Sequence, residues 1–365
     1  MNICIDMRPA LSRATGVGVY LQNLVKALAE IDPENQYHLF SSSWSERYRN
    51  GTYGRNFHIH DQHWPGKFLH FAWNRFSFPS IESMLGIHVD VAHSPSPLLI
   101  PSKGARRVTT VHDLYFYFHP EHTTREIQRD YPALVKKHCQ QSDAIIAVSE
   151  YTRQQLVEHL QVASSRIYTI RHGSDPFFEE RASDEEKKQV ATAFALERPF
   201  FLFVGAAEPR KNIPQLLAAF RRAKLDADLI LAGPEGWKLS DVMANSGPRV
   251  RWTGYISRQN LRALYQQALA LLLPSVEEGF GLPIIEAMAC ETPILASDIP
   301  VFHEIAQDAF LPIDTNDTNL FAEGLRQIYE QEELRKQLIE KGKAKIKRFS
   351  WRESAQKTLE LYQHL

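Results

Sequence analysis

The chain has 365 residues, of which 44% are hydrophobic and 23% charged, and its formal net charge is −1. That length holds about two domains of roughly 150 residues each, and the composition excludes disordered, collagen-like and disulfide-stapled chains. With charges this balanced no global field gathers nucleic acid or an anionic membrane, so any such affinity has to be a local patch.

Three widely spaced cysteines, Cys4, Cys139 and Cys290, lack metal-ligand spacing and read as buried free thiols in a reducing compartment. The opening MNICIDMRPAL is too short and too acidic for a signal peptide, and no apolar run approaches the ~20 residues that span a bilayer. A cytoplasmic protein is the expectation, with peripheral contact at the inner face of the plasma membrane left open.

Short apolar runs alternate with helical periodicity along the chain. Strands are predicted over 2–7, 37–40, 89–92, 108–111, 144–148 and 167–170. Tyr20, Leu21, Leu24, Val25, Leu28 and Ile31 recur at helical spacing between the first two, and Ser149 suits the N-cap of a helix over 151–160. The segment HGSDPFFEERASDEEKK (172–188) breaks the pattern with Gly, Pro and dense charge and marks an interdomain boundary. The alternation then restarts with strands over 200–204, 229–232, 250–253, 270–273 and 294–296. Helices are predicted near 213–223 and 258–267 and from Pro283, and they dominate beyond about residue 316. This is the order of βαβ units on parallel sheets: an α/β protein with two Rossmann-like, doubly wound domains facing across a cleft. The expected divisions are 1–173, a linker over 174–188, a second domain over 189–348, and a final helix over 349–365 that crosses back to the first. Ligands of such sheets bind at the carboxyl ends of the strands.

Four stretches carry chemistry. In SVEEGFGLPIIEAMA (275–289), Glu286 lies among apolar residues, where a carboxylate is costly unless it is paired. A glycine turn ahead of Pro283 can offer backbone N–H groups and the positive end of a helix dipole to an anion. Glu286, one turn in, suits either the vicinal diol of a ribose or a salt bridge to a nearby cation. In FLFVGAAEPRKNIPQLLAAF (201–220), Arg210 and Lys211 precede a helix with Asn212 as its expected N-cap. Cations there oppose the dipole and make sense if an anion shares the site; otherwise they are solvated surface charges. In RPALSRATGVGVYLQNL (8–24), Gly16 and Gly18 do not form a dinucleotide fingerprint, because Leu21 occupies the third glycine position; a flexible loop over a bound phosphate or sugar fits better. In RVTTVHDLYF (107–116), His112 and Asp113 follow a strand end, where a His-Asp pair is either an acid–base group or a satisfied structural histidine. The one D-x-D, Asp226–Asp228, lies before a strand and reads as a solvated turn; no divalent ion is expected.

VGAAEPRKN followed by SVEEGFGLPIIEAMA, with Glu278 and Glu286 spaced as E-x7-E, resembles the retaining glycosyltransferases of family 4. TGVGVYLQNL, VHDL, AVSEYTRQQL, RHGSD, WTGYIS and the FSWRESAQKTLELYQHL tail support the likeness. The resemblance implies a GT-B fold and a nucleotide-sugar donor used as substrate, with no cofactor. By position, Glu286 would bind the ribose hydroxyls, while Glu278 and the backbone of Phe280, Gly281 and Leu282 would contact the sugar and diphosphate. Arg210 and Lys211 would hold the diphosphate, Ile256 would line the base pocket, and Gly16 and Gly18 would approach the phosphate. His112 would face the sugar. Some members carry an arginine where this chain has Ala206, which moves phosphate binding onto Arg210 and Lys211.

The acceptor is a glycan or lipid-linked oligosaccharide by the same resemblance, in bacterial surface polysaccharide assembly such as lipopolysaccharide, with GDP-mannose the favoured donor. HWPGKFLHFAWNRFSF (63–78) mixes aromatics with Lys67 and Arg75; it is either an interfacial helix or a helix packing aromatics on the sheet. A nucleotide-sugar epimerase or hydrolase and a silent nucleotide-sugar-binding protein stay open on the same fold.

Overall fold

A computed structural model describes residues 1–11, 16–48, 53–122, 125–236, 243–244 and 246–365. The backbone divides into two units, Met1–Gly173 with Ser350–Leu365, and Ser174–Phe349.

Among the described residues, the first unit holds a seven-stranded parallel sheet. Its strands are β1 (Asn2–Asp6), β2 (Gln36–Ser42), β3 (Phe57–Gln62), β4 (Val91–Ser94), β5 (Arg106–Val111), β6 (Ala144–Ala147) and β7 (Ile167–Thr169), in the spatial order β3-β2-β1-β4-β5-β6-β7. The inner strand β6, AIIA, is a continuous buried apolar run, and β1 buries Ile3, Cys4 and Ile5 in succession, as in parallel sheets covered on both faces. Helix α1 (Gly16–Ile31) buries Tyr20, Leu21, Leu24, Val25 and Leu28 on one side, matching the predicted stripe. Ser149 accepts from the Thr152 N–H and starts a helix over Glu150–Leu160. The last helix, Trp351–His364, belongs to this unit, and Trp351, Ala355, Leu359, Leu361 and Tyr362 share a core with Tyr20, Leu24 and Leu28. The Tyr362 hydroxyl lies 2.5 Å from His93 Nδ1 deep in that core.

Among the described residues, the second unit holds a six-stranded parallel sheet: β8 (Phe200–Val204), β9 (Asp228–Ala232), β10 (Val250–Gly254), β11 (Leu271–Leu273), β12 (Ile294–Ser297) and β13 (Leu311–Ile313), in the order β10-β9-β8-β11-β12-β13. Strand order reverses between β8 and β11, which are hydrogen-bonded neighbours. The segment expected as a linker is built into this unit. Pro176–Phe178 forms a 3₁₀ turn, and Ser183 caps a helix over Asp184–Ala193 through a reciprocal capping box with Glu186.

The edge strands β3 and β13 escape the sequence reading. FHIHDQ and LPI lack an apolar run because an edge strand is covered less than a central one. Asp228 is also not in a solvated turn: it is buried at the start of β9, and its Oδ2 accepts from Arg251 Nη1 at 2.8 Å.

Candidate functional site

The loops after β8 and β11 leave adjacent strands on the same edge of the second sheet, at the point where strand order reverses. Open parallel sheets bind ligands at such a point. After β8 the chain passes Gly205 and a 3₁₀ turn, Pro209–Lys211, before the helix Ile213–Ala223. After β11 it passes Ser275 and Glu278 before the helix Leu282–Ala289. The loops are tied by the Val276 N–H, which donates to the Arg210 carbonyl at 2.8 Å.

Glu278 is the centre of the arrangement. Arg210 Nη1 donates to its Oε2 at 2.5 Å, Lys211 Nζ donates to its Oε1 at 2.5 Å, and the Ser275 hydroxyl donates to Oε1 at 2.8 Å. Arg210 Nε donates to Glu208 at 2.7 Å. Glu278 and Lys211 are both buried, 7% and 6% exposed, which overturns the reading of Lys211 as a solvated surface charge. Neither cation waits alone for an anion; both are oriented by carboxylates. Burial would push the Glu278 carboxyl up, but the charges of Arg210 and Lys211, with the Lys211 and Ser275 hydrogen bonds, hold it at about 2. Burial pulls the Lys211 ammonium below its ordinary value, against the opposing pull of Glu278. Asn212, expected as a side-chain N-cap, has φ 52° and makes no cap hydrogen bond; a left-handed residue at the end of the 3₁₀ turn redirects the chain into the helix.

Glu286 lies in the helix Leu282–Ala289, partly buried, and accepts from the Tyr265 hydroxyl at 2.9 Å. Its hydrogen-bond partner is therefore a phenol rather than the Arg or Lys of the salt-bridge alternative. Burial raises its carboxyl to about 7; the Tyr265 hydroxyl and Arg258 oppose the rise, and Asp175 adds to it. A carboxylate has about four acceptor lone-pair sites, and the Tyr265 hydroxyl takes one of them on Oε2. Gly281 is the N-cap of this helix at φ 94°, a conformation that favours glycine. Pro283 stands in the first turn, second rather than first. Leu282 opens the helix, and Phe280 is buried with its ring edge-on to Phe349 at 5.9 Å. Ile256 sits in the loop after β10, just before the Ser257 N-cap of the helix Arg258–Gln267.

The remaining predicted residues are in the first unit. Gly16 and Gly18 are not a loop: they form the first turn of α1, while residues 12–15 lie outside the described residues. A Cβ at Gly18 would come within 2.9 Å of the Pro9 carbonyl oxygen, so the missing side chain lets the turn Arg8–Ala10 pack on the helix. His112 follows β5, and its Nε2 donates to the Pro95 carbonyl at 3.0 Å. With that proton placed, a neutral ring leaves Nδ1 as an acceptor. Tyr20 packs edge-on at 5.0 Å and His172 stacks at 5.5 Å. Burial lowers the His112 ring to about 4, with the Pro95 bond opposing. Asp113 does not pair with His112 in the expected dyad; its Oδ1 accepts from the Tyr115 N–H.

Sequence reasoning missed Ser275, which orients Glu278, and Tyr265, which holds Glu286. Ser275 stands three residues before Glu278 and was legible as a local partner. Tyr265 is 21 positions from Glu286 and carried no signal. A further grouping was also unforeseen. Among the described residues, His119, Glu121 and His122 bring possible ligand atoms within 4.8 Å of one another, on the first unit.

Residues 14–177 match the family described as Glycosyltransferase Family 4, and residues 184–345 match Glycosyl transferases group 1. An O-antigen chain mannosyltransferase B of Escherichia coli is 29% identical over 290 residues, which are 75% of this chain and 74% of that protein. A serotype-specific mannosyltransferase WbdA of Escherichia coli is 32% identical over 223 residues, 56% of this chain; the match spans only 27% of that longer protein. The solved sucrose-phosphate synthase from Thermosynechococcus elongatus superposes with a TM-score of 0.79 at 20% identity, over 100% of this chain and 98% of that one. At such identity the likeness speaks for the fold alone, the GT-B fold of two Rossmann-like units.

Proposed function

The chain belongs to the glycosyltransferases of family 4, and from that premise we propose that it is a retaining hexosyltransferase, taking mannose from GDP-mannose. The acceptor in this reading is a glycan or lipid-linked glycan on the cytoplasmic side of the plasma membrane, in bacterial surface polysaccharide assembly such as that of lipopolysaccharide. The mannosyltransferase names of the relatives favour mannose; dTDP- and UDP-sugars rank behind.

The observation that carries the reading is the Glu278–Arg210–Lys211 cluster at the strand reversal, one loop ahead of a helix that bears Glu286. Arg210, Lys211 and the N-terminus of the helix Leu282–Ala289 meet the diphosphate, and Glu278 reaches the sugar. Glu286 accepts from the ribose hydroxyls, and Ile256 borders the base. In the front-face route the sugar C1–O bond to the diphosphate breaks as the acceptor oxygen bonds C1 on the same face. The acceptor's proton passes to the leaving phosphate oxygen. Charge that grows on the leaving group is met by Arg210 and Lys211, in the role a divalent ion plays elsewhere. His112, neutral and with Nδ1 free to accept, fits a sugar hydroxyl.

Thermal-shift screening against GDP-, UDP-, dTDP- and ADP-sugars tests the donor. The true donor stabilises by about 2.7 kcal/mol at a hundredfold excess over Kd. Transfer with retained anomeric configuration and no loss on chelator treatment is then expected by NMR. Sugar-nucleotide turnover without any acceptor would instead mark a hydrolase or epimerase, and binding of every nucleotide sugar without turnover would mark a silent binder.

A further inference from the structure

The first unit carries an aromatic stripe that its own core does not use. In helix α2 (Gly66–Phe76), Leu69 and Trp73 turn inward and are buried in a cluster with Phe40 and Ile81. At about 100° per residue, positions 68, 71 and 75 fall within an arc about 60° wide on nearly the opposite side. Phe68 and Phe71 lie there 55% and 61% exposed, Trp64 precedes them at 43%, and Phe76 and Phe78 follow at 64% and 62%. The exposed rings touch one another. Trp64 stacks on Phe68 at 6.1 Å, Phe71 meets Phe76 edge-on at 5.9 Å, and the Arg75 guanidinium lies 5.7 Å from the Phe76 ring centre. Trp44 is also exposed, two residues beyond Ser42, whose hydroxyl donates to the Trp64 carbonyl at 3.1 Å. Apolar side chains on both sides of a helix call for a second apolar phase.

Charge and residue type identify that phase. From His63 to Ser80 the sequence holds Lys67 and Arg75 and no carboxylate, in a chain of net charge −1; the Lys67 side chain lies outside the described residues. The exposed face is Trp and Phe, side chains found on the apolar face of helices that lie in a bilayer interface. No described helix is long and apolar enough to cross one. We propose that α2 lies in the plane of an anionic membrane surface, with Phe68, Phe71 and Phe76 entering the headgroup–acyl boundary and Arg75 on lipid phosphates. The proposal deepens the reading above, on which its purpose rests: it brings the first unit to a lipid-linked acceptor.

Cosedimentation of the full chain with vesicles tests it without any turnover. Binding to phosphatidylglycerol-containing vesicles at low salt, weaker on phosphatidylcholine alone, is expected. Phe68→Ser/Phe71→Ser/Phe76→Ser lowers the partition coefficient at least tenfold. Arg75→Glu lowers it about fivefold or more on anionic vesicles only. Wild-type melting and nucleoside-diphosphate binding in these variants exclude misfolding. No vesicle binding at low salt overturns the proposal. So does a dimer seen by light scattering that the triple variant makes monomeric while vesicle binding is absent, since a second copy would then cover the stripe. If no nucleotide sugar binds, the glycosyl-transfer reading fails while the vesicle result stands.

Discussion

At the scale of single residues the site is an exercise in holding charges that burial disfavours. Lys211 has Glu278 as its counter-charge, and Glu278 has Arg210, Lys211 and Ser275. On the proposed mechanism Lys211→Ala removes one preorganised charge from the leaving-group side and is expected to lower kcat by a factor on the order of 10² to 10³; unchanged kinetics would take Lys211 out of the reaction. The ionised Glu278 contributes stability that is present above its ordinary value of 4.5 and is lost as pH falls toward about 2. Glu286 behaves the other way. Its carboxyl is raised from 4.5 to about 7, so its contribution to stability is present below 4.5 and lost as pH rises to about 7. In the proposed reading a ribose diol donates to the ionised form, so donor affinity should rise between about pH 6 and 8, and Glu286→Gln should flatten that slope in calorimetric titrations. The Tyr265 hydroxyl favours the carboxylate, so Tyr265→Phe should move the midpoint upward; an unmoved midpoint would sink this account of Glu286.

At the scale of elements, the strand-end loops are shaped by close backbone approach. Gly233, after β9, has φ 154°, and a Cβ there would stand 2.1 Å from the Gly205 carbonyl oxygen at the end of β8. Gly205 in turn packs against Lys211, with a would-be Cβ 3.5 Å from Lys211 Cε. Gly233→Ala therefore pushes the loop that carries the cations. A loss of about 2–3 kcal/mol in urea unfolding, together with weaker donor binding, is expected. Gly104→Ala, which meets nothing within 4 Å, serves as the control and should stay within about 0.5 kcal/mol. Equal effects from the two substitutions would show that the approach of Gly233 to Gly205 is not what sets the loop.

At the scale of the whole molecule, each unit has its own core, and the first borrows its last helix from the chain's end. Tyr362 and Thr110 flank the buried His93, whose two ring nitrogens lie 2.5 and 2.8 Å from the hydroxyls. Tyr362→Phe leaves one ring nitrogen unsatisfied and should cost about 1–3 kcal/mol by thermal melting. Deletion of 351–365 uncovers Leu24 and Leu28 and should leave the first unit open to trypsin while a fragment beginning near residue 174 survives; two equally resistant halves would contradict this. Much of this order was legible in the chain. The βαβ alternation, the α1 stripe, the Ser149 cap and the glutamate spacing are local, because helical and strand periods and capping act over a few residues. Of the edge strands, β3 and β13 were not legible, since FHIHDQ and LPI carry no apolar run, and neither was Gly18, whose role is set by a turn packed against it. The sequence by itself determined that two parallel α/β units exist and singled out Glu278, Glu286, Arg210 and Lys211 as the charged residues at the strand ends. Only the tertiary structure decided that Glu278 meets Arg210 and Lys211 while Glu286 meets Tyr265. Those pairings join residues 21 to 68 positions apart, and strand adjacency at the β8–β11 reversal brings Arg210 and Lys211 to Glu278.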